Sequence, residues 1–171
     1  MLRFTGEVED CKAYIWARVT CRRLGVRDNV RFCVDTGAQG TCLFQDDAIR
    51  IGVDIRSLER LEDKVNGIGG SADECLLEGV ELRFVSDDGR AVIDRHPILP
   101  IIIQHKSKLE RTVEFFRVWF LGRKQVRMVL PSILGFDFLR RCRISFSENE
   151  VYLEIREKSL RKVLPQHVSG P

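Results

Sequence analysis

Phe32-Cys33-Val34-Asp35-Thr36-Gly37-Ala38 is the stretch on which the reading of this chain turns. Val30, Phe32 and Val34 alternate with Arg31 and Cys33, the period-two pattern of a half-buried strand. The strand ends in a carboxylate, followed by a small hydroxyl residue and a glycine where the chain must turn. A strand end is a rigid platform, and Gly37 lets backbone approach a neighbour or a ligand closely. Aspartate is rarely buried unless it is paired or has a task. Asp35 is therefore a candidate working carboxylate.

Two further motifs lie downstream in a telling order. Asn66-Gly67-Ile68-Gly69-Gly70 has three glycines in four positions, which suits a hairpin tip that moves and lies close to other backbone. Ile133-Leu134-Gly135-Phe136-Asp137-Phe138-Leu139 places an apolar pair and a glycine before an expected short helix. Together with Asp35-Thr36-Gly37-Ala38, these motifs resemble the retropepsin-like aspartic peptidases, the single-domain retroviral proteases and their cellular relatives. The resemblance covers about residues 12–147. It implies a mainly β, single-domain fold that is closed and barrel-like, with a flap hairpin, a short C-terminal helix and an active site at a homodimer interface. The expected domain is 1–156, and residues 157–171 read as a disordered tail.

The family's chemistry needs two carboxylates. One acts as base on a water, and the other, protonated, acts as acid toward the peptide carbonyl. Two carboxylates about 3 Å apart cannot both ionise, so they share a proton. Asp35-Thr36-Gly37 occurs once in the sequence, with no second Asp-Ser/Thr-Gly. A peptidase of this kind must then be a homodimer with one Asp35 from each subunit, related by a two-fold axis. The resemblance assigns Thr36 to a hydrogen bond across that axis and Gly37 and Ala38 to the surrounding active-site loop. It assigns Asn66, Gly67, Ile68, Gly69 and Gly70 to a flap that closes over an extended peptide or protein substrate. It implies no metal and no other cofactor.

The sequence departs from the family in two places. Many retroviral enzymes carry an acid after Asp-Thr-Gly-Ala and an arginine after the helix glycine, and the two pair. Here those positions are Gln39 and Phe136, so both partners are missing together and no lone charge is stranded. The chain also runs past the family's usual end, through a hairpin around Glu148-Asn149. Asp137 reads as structural, an acid on a helix bonding nearby backbone.

A chain of 171 residues with 44% apolar and 31% charged residues fits one ordinary globular domain. A net charge of +3 is too small to imply nucleic-acid binding. The clusters Arg123-Lys124 with Arg127 and Arg140-Arg141 with Arg143 read as solvated faces. No apolar run approaches the ~20 residues that span a bilayer, so no membrane association is expected. The N-terminus has no signal-peptide core, and a cytoplasmic setting is expected. The six cysteines show no CxxC pair and no metal-ligand spacing, and read as reduced thiols. Cys33, Cys42 and Cys142 are expected in the core. Trp16 and Trp119 also read as core residues. His96, His105 and His167 have no partner spacing for a metal or a triad.

Along the chain, residues 1–11 read as an edge strand or loose arm, 13–20 as a strand and 25–29 as the turn before the Asp35 strand. Residues 45–52 read as a short helix and 54–63 as a further helical turn. Residues 75–85 and 91–93 form a hairpin around Ser86-Asp87-Asp88-Gly89. Residues 96–103, with two prolines, read as an edge strand or extended crossing. Residues 113–121 and 126–130 read as strands, and 132–141 as a helix. The rival to peptidase activity is a retropepsin-like fold that only dimerises or binds a partner, since fold does not dictate chemistry. A binding-only module has no use for an acid at Asp35.

Overall fold

The computed structural model describes residues 1–61, 65–67, 70–103 and 130–156. Among these residues ten strands, β1 (Leu2–Glu9), β2 (Lys12–Cys21), β3 (Val26–Val34), β4 (Leu43–Phe44), β5 (Val65–Gly67), β6 (Gly70–Val85), β7 (Ala91–Ile103), β8 (Ser132–Leu134), β9 (Cys142–Phe146) and β10 (Glu150–Ile155), carry the fold. Among the described residues there are two short α-helices, α1 (Gln45–Arg50) and α2 (Phe136–Leu139). The protein is mainly β, as expected. The strands run β4-β7-β6-β2-β1-β10-β9, with β3 paired to β2 and β8, and β5 paired to β6. This path is not a closed barrel. Among the described residues the backbone pairing that joins β8 to the segment entering β4 is one isolated bridge, Cys42 to Ile133, with hydrogen bonds of 3.0 Å in both directions.

Alternation explains most of the strands. Val30 and Phe32 are fully buried, while Arg31 and Cys33 face the other way. β1 corrects the edge-strand reading, because it lies between β2 and β10. Its Leu2 and Phe4 are buried, and six of its residues pair with β10 from Leu2↔Ile155 to Glu7↔Glu150. The reversal before β3 comes earlier than residues 25–29. A 3-10 turn at Arg22–Leu24 ends in Gly25 at φ 67°, and β3 begins at the buried Val26. β7 continues unbroken through both prolines, and among the described residues its outer edge is paired only at Ile101 and Ile102, opposite Leu43 and Phe44 of β4. Among the described residues it is thus an edge strand over most of its length, which is where proline is tolerated.

Residues 132–141 are not one helix. Ser132, Ile133 and Leu134 pair in parallel with Phe32, Cys33 and Val34, and Gly135 is extended, so helix forms only over Phe136–Leu139. Tertiary pairing overrides the local helical spacing, although Leu134 and Phe138 are both buried as that spacing expects. Phe138 stacks on Phe84 of β6 at 4.5 Å, and Phe84 meets Phe4 edge-on at 6.2 Å. That aromatic row anchors α2 to the centre of the sheet.

Trp16 is not a core residue; it is 55% exposed. It shares the outward register of Tyr14, Arg18 and Thr20, while Ile15, Ala17 and Val19 fill the inner face. Arg141 is not a solvated cation either. Its Nη2 donates to Asp94 Oδ1 at 2.7 Å and its guanidinium lies 4.7 Å above the Phe138 ring. His96 Nε2 sits 2.9 Å from the other oxygen of Asp94. Burial works against the Asp94 charge, but His96 and Arg141 outweigh it and hold the carboxyl below its ordinary value. A folded-state value lowered in this way stabilises the protein above the unfolded carboxylate value. That stabilisation drains away as pH falls through the folded one. Asp94→Asn is expected to cost about 2–4 kcal/mol at neutral pH, because it leaves Arg141 unpaired. Chemical denaturation at pH 7 and pH 3 should show the variant losing less stability on acidification than the wild type. Equal losses would remove Asp94 from the acid response.

Among the described residues no helix is long and apolar enough to cross a membrane. The expected strand at 113–121, all but Leu130 of the one at 126–130, the tail at 157–171, and Trp119, His105 and His167 lie outside the described residues, as does the Arg123, Lys124 and Arg127 cluster.

Candidate active site

β3 delivers Asp35 to the point where the chain leaves the sheet. The parallel pairing of β3 with β8 sets Val34 beside Leu134, and the Asp35 N–H donates to the Leu134 carbonyl at 3.1 Å. The turn that follows is closed by its own acid: Gly37 N–H donates to Asp35 Oδ1 at 2.8 Å. This is the Asx-turn geometry available to aspartate. Ala38 N–H donates to the Asp35 carbonyl at 3.3 Å. Asp35 is half-buried, while Thr36 and Gly37 are exposed. The carboxylate is therefore mounted on rigid backbone with one oxygen held and a face toward solvent.

The loop after Asp35 is laced to the segment after β8. Phe136 N–H donates to the Ala38 carbonyl at 2.8 Å, and Asp137 N–H donates to the Gln39 carbonyl at 3.1 Å. Where the retroviral pattern has a charged pair, this chain has two backbone hydrogen bonds, with the Gln39 and Phe136 side chains exposed. Thr41 is buried at the centre of the clasp. Its Oγ1 donates to Asp137 Oδ1 at 2.7 Å and accepts from Gly135 N–H at 3.1 Å, and its own N–H donates to Asp137 Oδ2 at 3.1 Å. Asp137 Oδ1 also accepts from Phe138 N–H at 2.8 Å. Both oxygens of Asp137 are thus consumed in holding the loop, which gives it the structural role read from its position.

Two further residues, Thr41 and Ser132, hold the site without belonging to any of its motifs. Ser132 is fully buried, and its Oγ donates to Asp47 Oδ2 at 2.7 Å and accepts from Phe44 N–H at 3.1 Å. This ties α1 to β8 beneath the loop. Nothing local marks either residue, since Thr41 and Asp137 are 96 positions apart.

The glycine-rich motif forms a hairpin. Val65, Asn66 and Gly67 pair with Ala72, Ser71 and Gly70. The two connecting residues, Ile68 and Gly69, lie outside the described residues. Among the described residues no hydrogen bond joins this hairpin to the Asp35 loop.

The described cysteines near the site are chemically quiet. All six are free thiols. Burial pushes the Cys42 thiol up to about 12 and the Cys142 thiol up to about 12, and raises that of Cys33. Since the thiolate is the nucleophile, iodoacetamide at neutral pH is expected to modify the exposed Cys11 and spare Cys42 and Cys142 until denaturant is added. Peptide mapping by mass spectrometry reads this directly, and modification of native Cys42 ahead of Cys11 would overturn it. Among the described residues no group of three or more His, Cys, Asp and Glu side chains is placed to hold a metal ion.

A family model described as "Aspartyl protease" matches residues 19–138. Among solved structures, the chain is similar to a retropepsin-like aspartic protease from Rickettsia conorii, with 16% identity, a TM-score of 0.48, and 88% of this chain and 89% of that one covered. It is also similar to the retroviral protease-like domain of Ddi1 from Leishmania major, with 16% identity, a TM-score of 0.39, and 78% of this chain and 80% of that one covered. No curated protein matches the chain in sequence.

Proposed function

The chain belongs to the aspartyl protease family, and from that premise we propose that it is a homodimeric endopeptidase whose working groups are two copies of Asp35. The observation that supports this best is a count of usable acids. Asp137, the other carboxylate in the loop clasp, has both oxygens committed to Thr41 and Phe138. Asp35 keeps its Oδ2 for chemistry while Gly37 N–H holds its Oδ1. One chain thus offers one acid for a reaction that needs a base and an acid together. A second copy, brought to the exposed Thr36-Gly37 turn by a two-fold axis, supplies the other. The shared proton lets one carboxylate take a proton from water while its partner gives one to the peptide carbonyl. The Val65–Gly67 hairpin, its tip and Gly70 would cover an extended substrate and pair with its backbone.

Two results test the proposal at once. Cleavage of a mixed unstructured-peptide library is expected at mildly acidic to neutral pH and is expected to fail at alkaline pH, where the pair loses its shared proton. At protein concentrations below the dimer dissociation constant, the rate should rise with the square of concentration. A rate linear in protein down to a monomer seen by light scattering would sink the shared site. A rate still climbing at alkaline pH would sink the carboxylate pair.

A further inference from the structure

β2 is paired with β3 from Tyr14 to Cys21, but its other edge is divided. Lys12, Ala13 and Tyr14 pair there with β1, and Arg18 through Cys21 pair there with β6. Between the two, Ile15, Trp16 and Ala17 face no strand among the described residues. β1 and β6 diverge at this point and leave a cleft of about 430 Å³, lined among others by Thr5, Trp16, Arg18, Asn29, Arg83 and Val85. That volume is in the range of ligand sites.

The cleft has a distinct chemistry. Trp16 and Val85 are 55% and 58% exposed, so an apolar wall stands in water. The charged side chains lining it are Arg18 and Arg83. Among the described residues Arg18 Nε donates only to the neutral Asn29 Oδ1, at 3.3 Å, and Arg83 has no acidic partner. The nearby acid, Asp87, is already engaged by Thr5 N–H at 3.0 Å and Thr5 Oγ1 at 2.8 Å. Backbone polar groups alternate between the two edges of a strand, so at least one of Ile15, Trp16 and Ala17 turns its N–H and C=O into the cleft. An open strand edge of this kind recruits another extended chain.

We propose that this cleft docks an extended acidic segment of a protein partner, with carboxylates on Arg18 and Arg83 and an apolar side chain against Trp16 and Val85. Uncompensated cations call for an anionic occupant, and the open backbone edge calls for a peptide. A single-stranded nucleic acid needs successive aromatic platforms along a basic groove, and Trp16 is the one exposed ring lining this cleft. Trp16 is opposite Arg31, four residues before Asp35, so a docked segment lies roughly 13 Å along β3 from the candidate carboxylate. The docking itself does not depend on peptidase activity.

Fluorescence anisotropy of a fluorescein-labelled peptide of alternating glutamate and leucine tests it on the full chain. Saturable binding is expected, weakened about tenfold by Arg83→Glu and by Trp16→Ala in proteins of unchanged melting temperature. Arg83→Gln, which removes the charge without reversing it, is expected to fall between wild type and Arg83→Glu. Added salt should weaken the complex. Absence of saturable binding, equal binding of a lysine-leucine peptide, or full binding by folded Arg83→Glu would overturn the proposal. Tighter binding of oligothymidylate would overturn it in favour of a nucleic-acid ligand.

Discussion

Asp35→Asn is expected to lower peptide cleavage by roughly 10²–10⁴-fold, the contribution of positioned acid–base catalysis. The substitution removes the charge and the titrating proton from both halves of the proposed site at once. It leaves the turn standing, because the amide oxygen of asparagine can accept from Gly37 N–H as Asp35 Oδ1 does at 2.8 Å. The half-buried side chain should therefore change stability by about 0.5 kcal/mol or less. Loss of activity with an unchanged melting curve and an unchanged dimer separates chemistry from folding. A mixing experiment goes further. If each site needs both chains, an equal mixture of wild type and variant at fixed total protein retains about a quarter of the wild-type rate, because only that share of randomly paired dimers carries two acids. If one chain suffices, about half remains. Full cleavage by Asp35→Asn would remove Asp35 from the mechanism.

The parts of this fold that a sequence reading recovers are those whose order is local. Val30, Phe32 and Val34 announce β3 by alternation alone, and the Asx turn after it is built from neighbours, Asp35 and Gly37. Gly67 and Gly70 likewise announce a tight hairpin. What escapes is decided by distant partners. The three residues of β8 are a strand only because β3 is beside them, and read alone they continue the helical spacing of Leu134 and Phe138. Residues 1–11 read as an edge strand or a loose arm until β10, far along the chain, covers the free edge of β1. Trp16 has the composition of a core residue, but its parity along β2 turns it outward. Asp94 and His96 lie two apart on β7 and carry no motif, and Arg141 reaches Asp94 only once the segment after α2 has packed.

The clasp around Asp35 is the clearest case of a site held by such distant contacts, and Gly135→Ala should break it. Gly135 has φ −94° and ψ −177°, extended backbone open to any residue, so the demand for glycine is not conformational. It is spatial. A Cβ at position 135 would lie 2.3 Å from the Gly40 carbonyl carbon, 2.4 Å from its oxygen and 2.8 Å from the Thr41 nitrogen. These are backbone atoms and cannot rotate aside, so the loop from Ala38 to Thr41 must move as a body. That movement strains the Thr41 bonds to Asp137 and Gly135 and the Phe136 bond to Ala38, all of 2.7–3.1 Å. Overpacking together with loss of a buried network is expected to cost about 3 kcal/mol or more, a fall in melting temperature of about 6–12 °C for a chain of this size. Gly40→Ala is the control from the other side of the same contact, since a Cβ there meets nothing within 4 Å; it should melt close to wild type. Under the proposed function, cleavage should fall with Gly135→Ala even well below its melting point, because the same loop begins at Asp35 and carries the turn that meets the second subunit. A Gly135→Ala protein as stable as Gly40→Ala would show that the loop can slide past β8 freely, and the clasp would then not be what holds Asp35 in place.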